Sequence, residues 1–68
     1  MAEPEYGIVD IHSLEPGEEG WELCVYQTPQ ILKVIDESLV QTLTEALHQG
    51  QPVELVWDPT QALVLGAS

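Results

Sequence analysis

Asp10 and His12 stand two residues apart in a β-branched run, Tyr6-Gly7-Ile8-Val9-Asp10-Ile11-His12-Ser13-Leu14. Residues two apart on a strand share a face, so a carboxylate and an imidazole would meet there, a pairing that suits a divalent cation or a proton relay. Catalysis by that pair needs further ligands or a shielded cleft, and a chain of 68 residues has little volume for one. The other histidine, His48, closes an apolar-periodic stretch, where an imidazolium complements the negative end of a helix dipole. A metal-dependent enzyme subunit completed across a dimer interface is thus one alternative; a solvated polar strand face is the plainer reading of Asp10 and His12.

Cys24 is the only cysteine. It cannot form an intramolecular disulfide or a cysteine-based zinc framework, which fits a reducing compartment. Carboxylates near it in sequence favour the thiol over the reactive thiolate, so it is expected to be a small buried hydrophobe. The chain contains no glycine-rich phosphate loop, nucleophile elbow or zinc spacing. The expectation is a non-enzyme, with no catalytic residues, cofactor or metal.

The densest mixture of charge and aromatic surface is Glu15, Glu18, Glu19 and Glu22 around Trp21. Acidic loop clusters are ordinarily only solvated. Their functional reading is a protein-binding site, in which Trp21 supplies buried area or a cation–π contact and the carboxylates supply association rate and specificity toward an Arg/Lys-rich surface. Trp57, on an apolar run, is assigned to the core.

Charge sets the limits of function more firmly than any motif. Twelve carboxylates face a single basic residue, Lys33, for a formal charge of -11. Phosphate backbones and anionic lipid heads are repelled over about 8 Å at physiological salt, while basic protein surfaces are attracted. Direct nucleic-acid binding and membrane association are therefore not expected. Yet 44% of residues are apolar, too many for a disordered acidic tail. The chain should fold, and screening of its self-repulsion by moderate salt or mildly acidic pH should stabilise it. With no apolar run long enough for a signal or span, cytoplasmic location is the default.

The elements that would position these residues follow from periodicity. The Tyr6–Leu14 run reads as a strand; after a turn cluster, Glu15-Pro16-Gly17-Glu18-Glu19-Gly20, the segment 21–27 alternates Trp21, Leu23 and Val25 with Glu22, Cys24 and Tyr26. These two form an antiparallel hairpin whose loop exceeds the tight two-residue type, with Pro16-Gly17 making the turn. Thr28-Pro29 has the form of a helix start. Leu32, Ile35, Leu39, Leu43 and Ala46 then step by three and four to the stop at Gly50-Gln51-Pro52, favouring one continuous helix. The β-branched content of 31–35 suits a strand instead, with Asp36 or Ser38 capping a shorter helix and a crossover to a parallel neighbour. Val53–Trp57 and Ala62–Leu65 flank an Asp58-Pro59 turn as a second hairpin.

The expected fold is therefore α+β: one domain over residues 1–68 with a flexible 1–5, in ββαββ order, a mainly antiparallel four-stranded sheet under one helix. Such a domain leaves one sheet face open, with Tyr26, Val56 and Val64 on it, and unguarded edge strands; both suggest a homodimer. The functional expectation is a small acidic interaction or regulatory protein that binds a basic surface of a larger protein. An alternative is a nucleic-acid mimic whose carboxylates imitate phosphates and inhibit a DNA- or RNA-binding protein.

Overall fold

The computed structural model describes residues 3–68, as an α+β arrangement of six strands and one helix. Of the segment expected to be flexible, Met1 and Ala2 lie outside the described residues, and Glu5 already opens the first strand. The strands are β1 (Glu5–Val9), β2 (Ile11–Gly17), β3 (Gly20–Val25), β4 (Thr28–Val34), β5 (Val53–Asp58) and β6 (Leu63–Ala67), with α1 (Glu37–Gln49) between β4 and β5. Their order in one mixed sheet is β1-β5-β6-β4-β3-β2. All pairings are antiparallel except β4 with β6, which meet at Lys33 and Leu63. The four-stranded ββαββ layout is thus replaced by six strands, because two expected segments divide.

The first division falls at Asp10. β1 and β2 occupy the two edges of the sheet, yet one residue joins them. Adjacent Cα atoms are about 3.8 Å apart, so the sheet curls until its edges meet at Asp10, in the manner of a partly closed barrel. The second division falls at Ile35-Asp36. Leu32 and Val34 are fully buried whereas Ile31, Lys33 and Ile35 are exposed, the period-2 pattern of a strand. The helical phase of Leu32 and Ile35 with Leu39 is coincidental, since Ile35 faces solvent. The continuous helix from Thr28 is therefore corrected to strand β4 followed by a shorter helix.

Asp36 starts that helix from an extended backbone (φ -76, ψ 120), and its Oδ1 accepts from the Ser38 amide at 2.9 Å and the Ser38 hydroxyl at 2.7 Å. At the other end Gly50 takes the left-handed conformation, and the amides of Gly50 and Gln51 donate to the carbonyls of Leu47 and Ala46, closing a Schellman motif. The parallel neighbour of β4 is β6 rather than β5, the strand that directly follows the helix, so β6 is inserted between them.

Val9, Leu23, Val25, Leu32, Val34, Leu43, Val53, Leu55, Trp57 and Val64 form one core, and no polar side chain is buried among the described residues. Leu43 is the helix's buried contribution, with Leu39, Val40 and Ala46 packed around it. Trp57 is core, as its strand pattern requires. Val64 is core as well and not on the open face; the outward residue of β6 is its neighbour Leu65. The outer face also carries Tyr6, Ile8, Ile31 and Ile35.

Candidate acidic interface

The β2–β3 hairpin is tighter than its sequence suggests. Glu15, Pro16 and Gly17 belong to β2, Gly17 pairs with Gly20, and only Glu18 and Glu19 form the turn. The residue with positive φ is Gly20 (φ 85), not Gly17, as in hairpins that follow a tight turn with one left-handed residue. A side chain there would also collide with the Val34 carbonyl oxygen, so both conformation and space require glycine.

This hairpin gathers four of the five residues proposed for binding. Glu15 and Glu22 are directly opposite on β2 and β3, and Glu22 is in turn opposite Lys33 on β4, giving a Glu–Glu–Lys row on the outer face. Glu18 and Glu19 extend the charge beyond the sheet. Glu18, Glu19 and Glu22 border an open cleft of about 360 Å³ with Gly17 and Lys33. The Lys33 ammonium lies 3.9 Å from the Glu19 carboxylate, and both side chains are well exposed, so the pair contributes little to stability.

Trp21 does not join them. It alternates with Glu22, pairs with Pro16 and Val34, and packs half-buried against the core. The aromatic anchor inside an acidic ring is thus absent, because period-2 geometry sends adjacent residues of β3 to opposite faces.

The other chemically suggestive residues are also accounted for. Asp10 sits in the break between β1 and β2: its amide donates to Gln27 Oε1 at 2.9 Å and its Oδ2 accepts from Gln27 Nε2 at 3.0 Å. His12 falls where the β2–β3 register shifts, and its ring meets that of Tyr26 edge-on at 5.2 Å. The shift places both Ile11 and Leu14 against the core despite their odd spacing. Among the described residues no three His, Cys, Asp or Glu side chains converge as metal ligands. Cys24 is half-buried on the face opposite Leu23 and Val25 rather than in the core. His48 occupies the last helical turn.

The β3–β4 turn at Tyr26-Gln27 carries no local turn signal, containing neither Gly nor Asn-Gly, and is not expected from the sequence. Its support is remote: the Tyr26 amide donates to the Asp10 carbonyl at 3.1 Å, next to the Gln27 bonds. No family model matches the chain, and no curated protein or solved structure does either. Among the described residues no helix is long and apolar enough to cross a membrane.

Proposed function

We propose that this chain is a small, non-enzymatic interaction or regulatory protein that docks the acidic β2–β3 hairpin on a basic surface of a larger protein. The observation that carries this reading is the Glu15–Glu22 pair. Like charges directly opposite on neighbouring strands weaken a hairpin, and here they continue into Glu18 and Glu19 with one lysine as counter-charge. A cationic partner would relieve that repulsion on binding. Glu15, Glu18, Glu19 and Glu22 then supply association rate and specificity, while Trp21 supports the hairpin from the core side.

The test compares capture of native proteins by the wild type and by the Glu18→Lys/Glu19→Lys double variant, at low and high salt. A partner retained by the wild type at low salt, released at high salt and not bound by the variant supports the proposal. Equal capture by both proteins overturns it. If the partner binds nucleic acid, competition between that nucleic acid and this chain distinguishes a phosphate mimic from docking elsewhere.

A further inference from the structure

The two edges of the sheet are protected differently. The edge at β2 is broken by the register shift between Ile11 and Ser13, carries Pro16, and is packed by α1. Bulges, prolines and covering helices are the means by which an edge strand is kept from pairing with another chain. Among the described residues the β1 edge has none of them. Glu5–Val9 pairs with β5 without a register shift and contains neither Lys nor Pro. Its outward side chains, Tyr6 and Ile8, are 74% and 70% exposed.

We infer that β1 is a self-association edge, to which the β1 of a second copy adds antiparallel with the two-fold axis at Gly7. The strand is self-complementary about that residue. Pairing around Gly7 sets Tyr6 against the partner's Ile8 and Ile8 against the partner's Tyr6, two aromatic–β-branched cross-strand pairs of the favourable kind. Gly7 itself faces its symmetry mate, and a side-chain carbon built there has no atom within 4 Å. The strand's one carboxylate, Glu5, lies at its end opposite the partner's Val9, so no carboxylate meets another across the ladder. This matters in a chain with a charge of -11. The same symmetric pairing through β2 would bring together the strand that carries Glu15.

A ladder five residues long with two large side chains from each copy belongs to the small, weak class of interfaces, below about 1,200 Å². Net charge opposes it. Association therefore falls in the range of roughly 10 µM to 1 mM and tightens as salt screens the repulsion. Docking of the hairpin on a basic partner has the opposite salt dependence, so each can fail without the other.

Sedimentation equilibrium across that concentration range, at low and high salt, tests the inference with the wild type, Tyr6→Lys, Ile8→Lys and the Glu18→Lys/Glu19→Lys variant. The expected result is a monomer–dimer equilibrium that tightens with salt and persists in the hairpin variant. Tyr6→Lys and Ile8→Lys weaken it tenfold or more, although each lowers the net repulsion, while thermal melts show them folded. In a Cys24→Ser background, Gly7→Cys forms an interchain disulfide on oxidation faster than Ser13→Cys. A monomer at every concentration, a dimer unaffected by both lysine variants, or equal crosslinking at positions 7 and 13 overturns the assignment.

Discussion

Asp10 and Gln27 grip each other in both directions, the Asp10 amide on Gln27 Oε1 and the Gln27 amide on the Asp10 carboxylate. The contact ties the corner where β1 becomes β2 to the turn between β3 and β4. Removing it with Gln27→Ala should lower stability by roughly 1–2 kcal/mol, the range for two hydrogen bonds. Gln27→Glu should cost more at neutral pH, since it sets a second carboxylate against the first. Urea unfolding of the three proteins checks this; equal midpoints would show that the corner holds without the clamp.

Gly20 combines a positive φ with a close approach to the Val34 carbonyl. Gly20→Ala should therefore cost at least about 2 kcal/mol. A domain of this size has only about 3–5 kcal/mol to lose. The variant should melt far below the wild type or fail to fold, and a melting curve decides.

Ala62 is the one non-glycine residue with positive φ among the described residues, at 54°. It ends the β5–β6 loop, where Asp58 Oδ1 accepts from the Thr60 amide at 2.8 Å. Ala62→Gly removes the strain at some cost in chain entropy and should raise stability by about 0.5–1 kcal/mol. An unchanged or lowered urea midpoint would mean that the loop holds no such strain.

The hydroxyl and amide of Ser38 hold the Asp36 carboxyl below the ordinary aspartate range. A depressed folded-state pKa contributes stability that is complete above the unfolded value and is lost as pH falls through the folded value. Asp36→Asn keeps an oxygen acceptor for the cap but removes the titration. The wild type should lose stability more steeply than Asp36→Asn below about pH 4. Parallel acid limbs in thermal melts would refute this. Milder acidification, above that range, should stabilise both proteins by reducing their self-repulsion.

Glu15→Lys places opposite charges on both sides of Glu22, since Glu22 already faces Lys33. It should stabilise the fold by roughly 0.5 kcal/mol, more at low salt than at high, while weakening capture of a basic partner. A variant that gains stability and also keeps its partner would separate the like-charge pair from function.

Much of the fold is legible in local pattern. Alternation along 21–25 and 53–57 assigns Leu23, Val25, Val53, Leu55 and Trp57 to the core, and Asp58-Pro59 marks the second hairpin. Gly50 marks the helix end. The segment 28–35 misleads because its start resembles a helix cap and its apolar spacing fits both periods. The acidic cluster is visible as composition, but its placement is not: Glu22 and Trp21 are neighbours in sequence and lie on opposite faces of β3.

Charge, an apolar content sufficient for a core, and the strands and caps whose signals lie within a few residues are all properties of the linear chain. The bend at Asp10 that lets one run serve both sheet edges, the insertion of β6 beside β4, and the row of Glu15, Glu22 and Lys33 exist only in the folded chain. The difference is one of range: periodicity and capping depend on neighbours along the chain, whereas the Asp10–Gln27 clamp and the cross-strand row join residues that only burial of a common core brings together.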